Sequence, residues 1–187
     1  MIEFDRSLGW KALEERLATT DNPRHRTIIQ TVIDHAKAEC AMDLDGLMAT
    51  LVEDPQYHFW THGRDHGPKG YDGVRKYYAD YVASGGAIIS SPKERVFVDD
   101  NGIVTEGTLT TLASGQIAKA RGYHIDDDSA HYLLRMRNTV LWSFDERGLA
   151  LGEDAYSMSD PDDFEKVPAS ELPDFYVDYL KRIGHDV

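Results

Sequence analysis

The sequence predicts an α+β domain in which helices lie on one face of a curved, mainly antiparallel sheet. Two observations lead there. Up to Leu51 the apolar residues recur at helical spacing, and from Glu94 to Met158 the chain alternates like strands between turn signals. Helices then strands, segregated along the chain, mark α+β architecture, and helices laid across a curved sheet enclose a natural cavity.

Trp10, Leu13 and Leu17 predict a first short helix near Ser7–Ala18. Asp21-Asn22-Pro23 reads as a cap with proline in the first turn. From Arg24 to Ala41, the positions Ile28, Ile29, Val32, Ile33, Ala36 and Cys40 mark one apolar helix face. Asp43 or Asp45 opens a short third helix, which Asp54-Pro55 stops. Gln56–His62 is aromatic and strand-prone, and His62–Gly70 is a glycine-rich loop. Tyr71–Ala83 predicts another helix, ended by Ser84-Gly85-Gly86. Glu94–Val98 and Ile103–Leu112 flank the hairpin turn Asp99-Asp100-Asn101-Gly102. A polar stretch, Ala113–Ser129, precedes two strands, His131–Phe144 and Leu149–Met158. Asp160–Pro168 reads as linker and Ser170–Ile183 as a final helix. There is no internal repeat. The expectation is one domain over residues 1–187, with its core at 24–158, a helical extension at 1–22, and a linker and helix at 160–187.

Composition narrows the function. Twenty Lys and Arg against 33 Asp and Glu give 187 residues a formal charge of −13, which disfavours nucleic acid and anionic membrane as partners. The single cysteine, Cys40, allows no intrachain disulfide, and there is no Cys-x-x-Cys metal pattern. No stretch approaches the ~20 apolar residues of a membrane span, and Met1–Trp10 has no signal-like run, so a soluble cytoplasmic protein is expected. No phosphate loop, nucleophile elbow or dinucleotide fingerprint occurs, so no cofactor is expected.

Three segments stand out together: Asp43–Asp54, Gly70–Tyr78, and Asn138–Tyr156 with its Phe144-Asp145-Glu146-Arg147-Gly148 turn. In their order and spacing they resemble the nuclear transport factor 2-like superfamily, in its SnoaL-like polyketide cyclase and ketosteroid isomerase branches. The resemblance spans roughly Arg24–Met158. It implies a cone-shaped domain with a small-molecule pocket between helices and sheet, and a homodimer through the outer sheet face. The family holds isomerases, dehydratases, epoxide hydrolases, cyclases and non-enzymes, so fold does not fix function. Carried over without gaps, the isomerase branch's donor tyrosine falls on His35, its base on Phe59 and its protonated acid on Val140. All three residue types differ, which argues against a true ketosteroid isomerase.

The candidate catalytic residues are His35, His58, Asn138 and Asp154. A histidine works as acid or base near neutral pH. An amide such as Asn138 can polarise a carbonyl. Asp154 is a possible match to the aspartate base that the resemblance implies for the cyclases. Phe59, Trp60, His62, Tyr78, Trp142 and Tyr156 are the candidate substrate-binding residues. Each also has an ordinary structural reading: a satisfied core histidine, an asparagine tying a loop, a solvated carboxylate, a packed aromatic. In the first strand only one face can line the pocket. A gapless reading favours Phe59, whereas a bulge would turn His58, Trp60 and His62 inward. The spacing His58, His62, His66 does not suit a metal, since four strand residues span about 13 Å, and none is expected. The reading is a cofactor-independent lyase, isomerase or cyclase acting on a hydrophobic metabolite. The alternative is a noncatalytic ligand-binding or dimerisation module.

Overall fold

A computed structural model describes residues 2–61 and 63–184. A short 3-10 turn at Arg6–Gly9 leads into α1 (Lys11–Ala18), α2 (Pro23–Ala41) and α3 (Leu44–Met48). The cap at Asn22 forms as the sequence suggests: its side chain accepts from the backbone N–H groups of Arg24 and His25, with Pro23 in the first turn. Next come β1 (His58–Thr61), β2 (Arg64–Asp65) and α4 (Gly70–Ala83). The second half holds β3 (Ile89–Ser90), β4 (Arg95–Val98), β5 (Gly102–Ser114), α5 (Gly115–Ala120), β6 (His131–Phe144), β7 (Ala150–Met158), β8 (Phe164–Val167) and α6 (Asp174–Arg182).

The strands form one curled sheet in the order β2-β1-β7-β6-β5-β3, with β4 added on β5 and β8 on β6. Every pairing is antiparallel except β1 with β7, which is parallel. The long strand β6 holds two partners on one edge: β7 along Arg137–Phe144 and β8 along His131–Leu134. The α+β prediction therefore holds, with two corrections. The polar stretch contains α5, whose Ser114 cap accepts from Ile117 N–H. The stretch read as linker contains β8, a four-residue strand with two charged residues and too little apolar alternation to stand out.

The main core lies between α1–α4 and the sheet. Leu13, Ile29, Ile33, Leu47 and Tyr57 are fully or almost fully buried there, against Val140, Trp142 and Phe144 of β6. At the far end of the sheet, neighbouring residues on one strand face opposite ways. There α5 packs Ala118 with Tyr132 and Leu134, while α6 packs Tyr176 and Leu180 with Leu112 and Leu133. The two helices thus grip the ends of β5 and β6 from both sides, and the concave middle of the sheet stays open.

Register places the site. Phe59 pairs with Ala155, and His58 with Asp154, along β1 and β7. Trp142, Val140 and Asn138 of β6 lie opposite Glu153, Ala155 and Ser157. This junction depends on Gly152, where a Cβ would stand 1.8 Å from the carbonyl oxygen of Gln56. The close approach lets Gln56 N–H donate to Leu151 O at 2.8 Å and locks the start of β1 beside β7.

Candidate functional site

The concave sheet face and the helices enclose a cavity of about 710 Å³. α2 contributes His35, Glu39 and Cys40; α4 contributes Tyr77, Tyr78 and Tyr81. The floor comes from inward-facing Thr105 and Leu109 of β5, Met136, Asn138, Val140 and Trp142 of β6, and Glu153, Ala155 and Ser157 of β7. Arg6, Lys93 and Arg121 bring positive charge to the wall. The lining mixes aromatic and apolar side chains with charged, amide and hydroxyl groups.

Its most perturbed carboxyl is that of Glu153. Burial in the cavity wall, reinforced by repulsion from Glu39, pushes its carboxyl up to about 8, against a weaker opposing pull from Lys93. Glu39 is raised for the same first reason, burial, and is opposed by Lys93 and Arg6. Burial lowers Lys93, which the two carboxylates partly restore. Lys93 Nζ donates to Ser91 Oγ at 2.9 Å. Among the described residues, neither carboxylate is ion-paired or hydrogen-bonded through its side chain. Two carboxyls and one ammonium thus share a low-dielectric cavity in which one carboxyl stays protonated at neutral pH. Asn138 offers a neutral donor nearby: its Oδ1 accepts from the Ser157 hydroxyl at 3.0 Å, which leaves the amide N–H groups for the cavity.

His35 is held differently. It is 3% exposed, and burial lowers its pKa to about 3, so it is neutral. Thr50 Oγ1 donates to Leu47 O at 2.7 Å and therefore accepts from His35 Nδ1–H at 2.8 Å. That fixes the tautomer: Nε2 accepts from Tyr78 OH at 3.1 Å, and Tyr57 OH stands 3.3 Å behind Tyr78 OH. Both ring nitrogens are satisfied. His35 also packs edge-on against Trp142, with ring centroids 4.7 Å apart. In this arrangement it is a fixed neutral acceptor that positions Tyr78.

The structure brings together His35, Asn138, Phe59, Trp60, Tyr78 and Trp142 at the cavity wall. It does not bring His58, Asp154 or Tyr156 there. The inward face of β1 is the Phe59 face, so no bulge turns His58 inward. His58 Nδ1 instead lies 2.7 Å from Asp65 Oδ2, beside Lys69, and its ring stacks on Trp60 at 12°. On β7 the inward face carries Glu153, Ala155 and Ser157, which leaves Asp154 and the half-exposed Tyr156 on the outer face. A shift of one residue in strand register exchanges faces, and the carboxylate expected at Asp154 is supplied by its neighbour. His62 lies outside the described residues. Among those residues, no group of three or more His, Cys, Asp or Glu side chains is gathered as metal ligands.

Cys40, on the apolar face of α2, also reaches the cavity wall; burial raises its pKa, which leaves it a poor nucleophile. Glu39, Glu153 and Lys93 were not singled out by sequence. Glu39 follows His35 by four residues on the helix face that meets the sheet, and an acid on such a stripe is a readable signal. Glu153 shares parity with Ala155 and stands opposite Trp142, so fixing the register of β6 and β7 would have found it. Lys93 lies in an irregular segment that no periodicity marks.

No family profile matches the chain, and no curated protein matches it in sequence. Solved structures do match in fold. A SnoaL-like polyketide cyclase-type structure from Shewanella putrefaciens CN-32 superposes with a TM-score of 0.59 at 11% identity, covering 78% of this chain and 86% of its own. The epoxide hydrolase/cyclase-like enzyme SalBIII, of pyran ring formation in polyether salinomycin, gives 0.51 at 10% identity over 70% and 90%. A computationally designed 17-OHP binder gives 0.52 at 15% identity over 75% and 96%. The chain therefore has the nuclear transport factor 2-like fold, shared with SnoaL-like proteins.

Proposed function

We propose that this protein is a cofactor-independent acid–base enzyme, of lyase, isomerase or cyclase type, acting on a small multi-ring hydrophobic metabolite in the 710 Å³ cavity. The observation that carries this reading is Glu153, whose carboxyl burial and Glu39 push up to about 8 inside an aromatic pocket. A carboxyl with that pKa is protonated at neutral pH and can donate to a carbonyl, hydroxyl or epoxide oxygen. The Asn138 amide would share the developing negative charge. Glu39, the second cavity carboxyl, is the candidate to accept a proton from carbon. His35 would act through Tyr78 rather than titrate itself. The fold is used for cyclisation chemistry in SalBIII and for ligand capture in the 17-OHP binder, which is consistent with a pocket for rings.

The test is deuterium exchange. A bicyclic ketone such as β-tetralone in D₂O, followed by NMR, should lose its α-protons faster with the protein than without it. Glu153→Gln should cut that acceleration about 100-fold or more. Saturable binding without acceleration would replace the enzyme with a ligand-binding module.

We further infer that two copies pair through the outer sheet face. There Phe97 and Met158 are 61% and 72% exposed; Phe97 shares a row with Leu141, and Tyr156 lies two residues before Met158 on the same face of β7. Several apolar side chains on one sheet face form the kind of patch that marks an interface.

A further inference from the structure

A second pocket of about 180 Å³ lies behind the tyrosine wall, between α2, α3 and α4. Its lining is almost wholly apolar: Ala38, Met42, Leu44, Leu47, Val82 and Ala87. Glu39, Tyr78 and Tyr81 border both this pocket and the main cavity, so the two spaces are separated by three side chains. Towards solvent the pocket reaches Asp43 and the exposed Ala79. The space is ring-sized: an engineered apolar cavity of about 150 Å³ takes up benzene.

A second observation points to the same place. Met42 is the one non-glycine residue with positive φ among those described, at 59°, and it caps α2 in the left-handed conformation. Glycine would occupy that position without steric cost. Backbone held in an unfavourable region gathers at ligand clamps and similar sites. Here that backbone places Met42 on the pocket lining, with its thioether sulfur accepting from Arg182 at 3.2 Å.

We infer that this pocket is a subsite for one ring-sized apolar group, aryl or short branched alkyl. The group arrives either as an arm of the molecule held in the main cavity or as a separate small molecule. The arm rests on the reading of the main cavity as a small-molecule site; the separate molecule does not.

Fluorobenzene observed by ¹⁹F NMR is the probe. With β-tetralone added at saturation to occupy the main cavity, the wild-type protein should still show saturable exchange broadening. Ala79→Phe, at an exposed helix position that tolerates substitution, should fill the pocket and reduce that response at least 10-fold. Ser157→Phe, which narrows only the main cavity, should leave the response within 2-fold of wild type. Equal binding by wild type and Ala79→Phe, or loss in Ser157→Phe alone, would overturn the subsite. Unsubstituted and 1-phenyl β-tetralone then separate the two sources. If the group is an arm, Ala79→Phe weakens the phenyl compound at least 10-fold and spares the parent. If it is a separate molecule, both ketones bind Ala79→Phe as they bind wild type while fluorobenzene is lost. Deuterium exchange of the parent ketone should survive Ala79→Phe, so failure of the subsite is distinguishable from failure of the catalytic reading.

Discussion

At the level of single residues, two titratable groups in one cavity move in opposite directions for the same reason. Burial disfavours charge, so it raises the Glu153 carboxyl and lowers the His35 imidazolium. The consequences for stability differ in sign. Unfolded Glu153 loses its proton near 4.5 and folded Glu153 near 8, so its burial costs stability progressively across that interval. Unfolded His35 gains a proton near 6.5 and the folded residue only near 3. Its contribution is intact above pH 6.5 and is lost as pH falls from there towards 3. His35→Gln should abolish this acid-side decline in chemical denaturation series. At pH 7 it should cost about 1–3 kcal/mol, because Tyr78 and Thr50 lose a buried partner. A variant with unchanged acid sensitivity would mean that His35 does not stay neutral in the fold. Sequence could see that His35 sat on an apolar helix face. It could not see that Thr50 and Tyr78 would occupy both ring nitrogens, because those partners are brought together only by tertiary packing.

At the level of elements, the helices and long strands were readable because their periodicities are long and capped. The cap at Asn22 and the hairpin at Asp99–Gly102 form where their turn chemistry places them. What failed was short or register-dependent. β8 is four residues long and gains its stability from pairing with β6. The choice between Asp154 and Glu153 rests on a single step of register in the β6–β7 pairing, which shifts between Ser143 and Phe144 in a way that no alternation pattern encodes; next to that shift, Gly152 lies against the Gln56 backbone. Gly152→Ala should therefore do more than a surface mutation. The added methyl overlaps a carbonyl, so the start of β1 must move away from β7. We expect a loss of about 2 kcal/mol in urea unfolding together with loss of ketone binding. A fully stable Gly152→Ala variant would show that β1 is not pinned there.

At the level of the whole molecule, one curled sheet serves two surfaces. Its concave side holds the cavity; its outer side carries an ionic network and an apolar patch. Arg137 binds Glu94 through two contacts of 2.7 Å and Glu106 at 2.6 Å, while Arg95 reaches Glu106 at 3.0 Å. Alternation along β6 carries this division, with Arg135 and Arg137 facing away from Met136 and Asn138. Pairing through the apolar patch predicts a dimer by sedimentation velocity at micromolar concentration, converted to monomer by Met158→Asp with Phe97→Asp; a monomeric wild type would remove that interface. The chemistry proposed for the inner face depends on a protonated carboxyl in the cavity at neutral pH. The most direct measurement is a ¹³C NMR titration of the glutamate side-chain carboxyls, with Glu153 assigned by its absence in Glu153→Gln. The expected midpoint is near 8. A midpoint near the ordinary 4.5 would contradict it.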